Sequence, residues 1–291
     1  SACRVCPENK DFMDSLSSRL SPPLVLCFSA TDPTGGAGIS ADLMTIASMG
    51  CHPLPVVTAL TIQDSVGMSS VMMLDPGWVE EQARAILEDM PVDAFKIGLL
   101  GSADSVAVIA AVLADYPEVP MVFDPVLVSG AGEALVDDEM LGAIKELLLP
   151  QATVLVVNSL EARRLADDGE SDADDLALDE CARRLLAGGC RHVLLSGAHE
   201  NTPQLVNTLH DASGIVRTDR WDRLGGSFHG AGCTLASAVA AGLARGLGVG
   251  EAVAEAQEYT WQTLAAGFRP GMGQFIPDRF FWARRKATGD A

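Results

Sequence analysis

Ser227-Phe228-His229-Gly230-Ala231-Gly232-Cys233-Thr234 runs directly into the small-residue helical pattern Leu235-Ala236-Ser237-Ala238-Val239-Ala240-Ala241-Gly242. Two glycines and an alanine let backbone approach a ligand closely, and the helix that follows presents unpaired N–H groups to it. Such a start suits an anion. A cysteine in the first turn is expected to be more acidic than a free thiol, because the helix dipole favours the thiolate. Anion binding and a proton acceptor then share one turn of chain. On their own the same residues also suit plain packing, with Cys233 a small core side chain. The amino-terminal half tips the balance. Thr31-Asp32-Pro33-Thr34-Gly35-Gly36-Ala37-Gly38-Ile39-Ser40-Ala41-Asp42 follows the apolar run Leu24-Val25-Leu26-Cys27-Phe28 and opens a helical pattern through Ser48, giving one chain two glycine-rich helix starts.

The 291 residues suffice for a large core, and no linker divides them. Residues 1–21 are polar and mixed and are expected to be a flexible tail, with residues 22–291 a single domain. The formal charge of −19 argues against nucleic acid or an anionic membrane as a partner, since both require a basic face. It also makes any phosphate site depend on local backbone donors and metal. Neither a secretory signal nor an apolar run near the ~20 residues of a membrane span is visible, so a cytoplasmic protein is expected. Seven dispersed cysteines fit reduced thiols better than a disulfide framework. Cys3-x-x-Cys6 is the tight pair, and no second pair or nearby histidine completes a zinc site.

Apolar β-rich runs alternate with amphipathic windows almost throughout, which predicts an α/β fold with a mostly parallel sheet covered on both faces. Strands are expected at Leu24–Phe28, Leu54–Leu60, Val71–Leu74, Ala94–Ile97, Met121–Asp124, Val154–Val157 and His192–Leu195. Gln204–Leu209 and Gly214–Thr218 read as a short antiparallel edge. Helices are expected at Pro76–Asp89, Ala103–Ala114, Asp137–Leu148, Glu161–Asp167, Asp179–Ala187, His229–Arg245 and Glu251–Gly267. The acidic run from Asp167 to Asp179 reads as a solvated loop or helix start. In such sheets the ligand lies outside the carboxyl ends of the strands. Asp32, Gln63, Gly98, Asp124, Asn158 and Ser196-Gly197 all stand at strand ends.

The two glycine-rich starts and the residues between them resemble the ribokinase-like superfamily, and within it the hydroxymethylpyrimidine and phosphomethylpyrimidine kinases of thiamine biosynthesis. Five segments carry the resemblance in order: Asp32 to Leu43, Thr58 to Gly67, Lys96-Ile97-Gly98-Leu99-Leu100, Asp124-Pro125-Val126 and His229 to Thr234. It spans roughly Leu24 to Phe268 and implies a three-layer α/β/α sandwich. It also implies transfer of the γ-phosphoryl group of ATP, with Mg2+, to 4-amino-5-hydroxymethyl-2-methylpyrimidine or its monophosphate, and a homodimer. By the same carry-over Gly230, Ala231, Gly232 and the Cys233 backbone form the anion hole, and Cys233 accepts the hydroxyl proton. Gln63 addresses the pyrimidine ring and amino group, since an amide offers both a donor and an acceptor. Ala37, Leu99 and Val126 line an apolar slot for the ring, Asn158, Ser196 and Gly197 lie on the nucleotide side, and Glu161 reaches magnesium through water.

The spacing of Asn158 and Glu161 equally fits a helix cap with an acidic first turn. The chain departs from the family at Met44, Gly130 and Ser196, where lysine is common, and at Ser227-Phe228-His229, where Asn-Thr-His is common. Lys96 or an arginine from elsewhere is a candidate replacement for the missing charge. Two alternatives stay open: a pyridoxal kinase of the same branch, and a non-catalytic paralogue that binds a pyrimidine or nucleotide. Gly35-Gly36-Ala37-Gly38 departs from a dinucleotide-binding turn, and neither glycine cluster is followed by the Gly-Lys-Ser/Thr of a P-loop.

Overall fold

The computed structural model describes residues 21–128, 135–168, 176–197, 199–200 and 202–284. Cys3, Cys6, Gly130 and much of the acidic run after Asp167 lie outside them. The central sheet has the order β10-β9-β8-β7-β6-β5-β1-β2. Its strands are β1 (Leu24–Ser29), β2 (His52–Val57), β5 (Ala94–Ile97), β6 (Met121–Phe123), β7 (Val154–Asn158), β8 (Val193–Ser196), β9 (Gln204–Asp211) and β10 (Gly214–Asp222). From β2 to β8 every pairing is parallel, and β9 and β10 add the antiparallel edge. The expected three-layer, ribokinase-like arrangement is what the chain adopts.

Side-chain alternation divides the core into two layers. Leu26 and Phe28 of β1, with Phe95 and Ile97 of β5, face one cluster. Val25, Cys27 and Ala94 face the other. The first layer is covered by α2 (Pro76–Leu87), α3 (Ala103–Ala114), α4 (Asp138–Ala143), α5 (Ser159–Ala166) and α6 (Leu178–Ala187). The second is covered by α1 (Gly38–Ser48), α7 (Ala231–Ala244) and α8 (Val249–Ala265). A short α9 (Phe281–Arg284) ends the described chain. Local sequence sets several helix starts: the Asp75 carboxylate accepts from Gly77 N–H ahead of Pro76, and the Ser102 hydroxyl accepts from Ser105 N–H. The α7 surface is nearly all small residues, so α8 packs closely on it. A Cβ on Gly242 would stand 2.8 Å from Ala252 Cβ.

Two expectations about elements need correction. Leu54–Leu60 is not one strand: β2 ends at Val57, and β3 (Ala59–Gln63) pairs with β4 (Met68–Met73) in a separate antiparallel hairpin. The break is fixed by polar bonds around Thr58, whose hydroxyl donates to Leu99 O at 2.5 Å, while Thr31 N–H donates to Ala59 O at 2.9 Å. The Val71–Leu74 strand therefore belongs to the hairpin and not to the parallel sheet. The helix expected over Asp137–Leu148 changes character at Ile144, where a π-helical turn continues to Leu148.

Candidate active site

β1 lies between β2 and β5, so the strand order reverses at β1, and a crevice opens beyond the carboxyl ends there. Both glycine-rich helix starts converge on it. Gly230 takes a left-handed conformation, φ +81°, as the residue before α7. A Cβ there would stand 1.9 Å from Gly36 O, so the two loops touch backbone to backbone and only glycine fits. The first helical bond of α7 runs from Thr234 N–H to Gly230 O at 3.0 Å. The amides of Ala231, Gly232 and Cys233 thus precede any carbonyl a turn behind them, which is the arrangement that receives an anion.

A clasp joins the loops. His229 Nε2 stands 2.8 Å from Asp32 Oδ2, which also accepts from Ala37 N–H at 2.6 Å. Asp32 Oδ1 accepts from the Thr34 amide at 2.8 Å and hydroxyl at 2.7 Å. Burial opposes ionisation, yet the bonds from His229, Thr34 and Ala37 pull the Asp32 carboxyl down to about 2. An ionised carboxylate only accepts, so His229 Nε2 carries the proton. A carboxyl held below its unfolded value of 3.8 stabilises the fold above that pH, and the contribution is lost as pH falls through about 2. Asp32→Asn is therefore expected to lose about 2 kcal/mol at pH 7, with the gap narrowing below pH ~4. Urea midpoints measured down the pH scale check this, and a pH-independent gap would contradict it.

Beside the clasp lies a pocket whose walls include Ala37, Gln63, Leu99, Val126, His229 and Cys233. The apolar slot residues, the amide and the thiol expected from the sequence are thus brought together. Gln63 reaches the pocket because the β3–β4 register shifts between Ile62 and Gln63. Gly230, Ala231 and Gly232 are not among its walls and connect two residues that are, His229 and Cys233. Asn158, Ser196 and Gly197 stand apart from this pocket on neighbouring strand ends, with Asn158 opposite Ser196 in the β7–β8 register. Gly197 O accepts from Arg223 at 3.1 Å.

The acidic-thiol expectation is overturned. Burial first, then the Asp124 and Asp42 carboxylates, push the Cys233 thiol up to about 12 against the pull of Lys96. The thiol hydrogen-bonds to Asp124. Lys96 is itself fully buried, 3.1 Å from Asp42 Oδ1 and 3.5 Å from Asp124 Oδ2. Burial opposes its charge, but Asp42, Cys233 and Asp124 hold its pKa above the ordinary value. Lys96 is therefore committed to two carboxylates and is no free stand-in for a missing phosphate lysine.

Asn158 and Glu161 form a reciprocal cap: Asn158 Oδ1 accepts from the Leu160 and Glu161 amides, and Glu161 Oε2 accepts from Asn158 N–H at 3.1 Å. Burial, with Asp124 nearby, raises the Glu161 carboxyl to about 8. Asp124 Oδ2 has no hydrogen-bond partner. Among the described residues no group of three or more His, Cys, Asp or Glu gathers to hold a metal. Two neighbouring carboxylates, one with an oxygen held only by the long 3.5 Å ion pair to Lys96, suit a hydrated hard cation that takes its remaining ligands from phosphate and water.

The phosphomethylpyrimidine kinase family profile matches residues 32–278. The chain belongs to that family. It is 41% identical over 256 residues to the hydroxymethylpyrimidine/phosphomethylpyrimidine kinase of Streptomyces coelicolor, covering 87% of this chain and 93% of that one. It is 40% identical over 235 residues to the thiamine biosynthesis bifunctional protein ThiED of Geobacter sulfurreducens, covering 81% of this chain but 48% of that longer one. Among solved structures, the pyridoxal kinase of Staphylococcus aureus in complex with ADP superposes with a TM-score of 0.81 at 27% identity, over 91% of this chain and 96% of that chain. The kinase expectation is borne out, and no helix among the described residues is long and apolar enough to cross a membrane.

Four residues of this region make contacts that sequence reasoning did not foresee. His229 and Asp32 were quoted in separate motifs, and nothing in either announced a bond across 197 residues. Lys96 left a readable sign, a lysine inside the apolar strand Ala94-Phe95-Lys96-Ile97, which demands a buried counterion. Arg279 left none.

Proposed function

We propose that this chain transfers the γ-phosphoryl group of MgATP to the hydroxymethyl group of 4-amino-5-hydroxymethyl-2-methylpyrimidine and then to the resulting monophosphate. One observation supports the reading: Gln63, the apolar Ala37, Leu99 and Val126, and Cys233 of the first turn of α7 all line a single pocket. In it Gln63 pairs with the aminopyrimidine edge, while the apolar walls hold the ring and exclude water. The amides of Ala231, Gly232 and Cys233 receive the transferring phosphoryl group. Phosphoryl transfer proceeds through a loose transition state, so positioning and charge neutralisation outweigh base strength. Cys233, a neutral thiol hydrogen-bonded to Asp124, passes its own proton to that carboxylate as it takes the hydroxyl proton, while the new P–O bond forms and the bond to ADP breaks. Asp124 and Glu161 would hold a hydrated Mg2+, which would supply positive charge to offset the phosphates. Asn158, Ser196 and Gly197 line the nucleotide side. Residues 22–291 act as one kinase domain, in a cytoplasmic homodimer that sedimentation checks.

Cys233→Ala is expected to leave the fold intact and reduce turnover by about 10²-fold or more, in the range of a lost acid–base group. A variant with near wild-type kcat removes the thiol from proton transfer. The substrate itself is decided by ADP release on hydroxymethylpyrimidine, its monophosphate and pyridoxal in parallel. The likeness to the pyridoxal kinase with ADP makes pyridoxal the competing substrate, and preference for it overturns the pyrimidine reading. Binding with no turnover on any of the three supports the non-catalytic alternative.

A further inference from the structure

Arg279 is the largest of the fully buried side chains, 2% exposed, and comes from the segment after α8, far from either glycine motif in sequence. Its Nε and Nη2 donate to Thr234 Oγ1 at 3.1 and 3.0 Å. Nη1 donates to Gly35 O at 3.2 Å and Nη2 to Gly36 O at 2.5 Å. One planar fork therefore ties the first glycine turn to the first turn of α7, next to Cys233 and directly behind the Gly36–Gly230 contact. Its own backbone is anchored from two sides, since Arg279 O accepts from Ser48 Oγ at 2.6 Å and from Tyr259 Oη at 2.8 Å.

Every bond made by this guanidinium goes to a neutral oxygen. Among the described residues no carboxylate lies within ion-pair distance of it, whereas Lys96, the other fully buried cation of this face, has two. Asp42 and Asp32 act on it only from beyond ion-pair distance, and neutral acceptors satisfy its donors without cancelling the charge, so its burial is incompletely compensated. An anion at the α7 start would cancel it.

We propose that Arg279 is a positioning residue of the anion site. It locks the Gly35–Gly36 turn onto Thr234, and so sets the spacing of the anion hole against the substrate pocket. Its buried charge, with no carboxylate at ion-pair distance, draws a phosphate-class oxyanion to the Ala231–Cys233 amides. The inference rests on the phosphoryl-transfer reading above and adds the residue that holds its two halves in register.

The test pairs calorimetric titration of orthophosphate with steady-state kinetics on wild type, Arg279→Met and Arg279→Lys, with circular dichroism and Tm recorded on each. Arg279→Met is expected to bind orthophosphate at least tenfold more weakly, and a smaller change overturns the charge argument. Arg279→Lys keeps the charge and loses the fork. It is expected to bind orthophosphate within threefold of wild type, with KM for MgATP within threefold and kcat at least tenfold lower. A purely structural role would instead lower Tm in both variants and leave kcat per folded molecule near wild type. Should Arg279→Met fail to fold, Arg279→Lys carries both arms: orthophosphate binding more than threefold weaker overturns the charge argument, and a kcat less than tenfold lower overturns the positioning argument. The phosphate titration needs no turnover. A wild-type protein inactive on every substrate would therefore sink the kinase reading while leaving the arginine tested on its own terms.

Discussion

Gly230→Ala is expected to cut kcat by about 10²–10³-fold, the scale of a lost oxyanion-hole donor. The reason is steric and local. The new Cβ would stand 1.9 Å from Gly36 O and 3.0 Å from Ala37 Cα, so the two glycine loops must separate. Left-handed φ at a non-glycine residue adds about 1–2 kcal/mol of strain. Loop separation moves the α7 amides away from the pocket that holds the acceptor hydroxyl, while the rest of the core stays packed. Steady-state kinetics together with a thermal melt check the separation of effects. A variant that melts within a few degrees of wild type but turns over normally would show that close loop contact is dispensable. In contrast, Gly246 has a similar φ of +83° with nothing within 4 Å of a Cβ, so Gly246→Ala is expected to affect stability alone.

Lys96→Met carries the largest expected loss of stability, about 3–5 kcal/mol, the range for breaking a buried pair by removing one partner. The ammonium is fully buried between Asp42 and Asp124. Burial already raises the Asp124 carboxyl, with Lys96 opposing the rise, so its removal lets Asp124 climb further. A carboxyl with a folded pKa above its unfolded value binds more protons when folded, so the deficit grows as pH rises above that unfolded value and shrinks towards pH 5. Denaturant midpoints at pH 5 and 8 read the slope directly. Adding Asp42→Asn to Lys96→Met is expected to recover part of the loss, because one of the two stranded carboxylates is gone. An equal deficit at both pH values would mean that shape, not charge, fixes this cluster.

Much of the fold was legible because its strands are buried on both faces and its helices carry their own punctuation. Ala94–Ile97 and Ala103–Ala114 were read to the residue, the second bounded by a Ser102 cap that the sequence displays. The hairpin was not, because Leu54 to Leu60 is continuously apolar apart from Thr58, and the turn out of the sheet is made by Thr58 and Thr31 bonding to distant carbonyls. The pocket residues were legible through motif resemblance, each lying at a strand end or helix start. What the sequence concealed was ionic. A cysteine at a helix start reads as acidic when the dipole is the only influence considered, and burial beside two carboxylates reverses the sign. Arg279 sits in Pro277-Asp278-Arg279-Phe280, a stretch that looks like solvated surface until the tertiary fold closes over it.

The clasp from Asp32 to His229 and the bonds from Arg279 back to Gly35 and Gly36 also govern when the site comes into being during synthesis. A nascent chain that has left the ribosome as far as β8 can already assemble much of the parallel sheet, yet it holds only one of the two loops. At the usual ~5–20 residues per second, roughly 12–50 seconds separate the appearance of Gly36 from that of Arg279. For that interval the first glycine turn has no partner to close on. The ability to handle phosphate therefore arrives last, and a chain cut short between the end of Val249–Ala265 and residue 279 holds the elements of the fold without the bonds that close its centre.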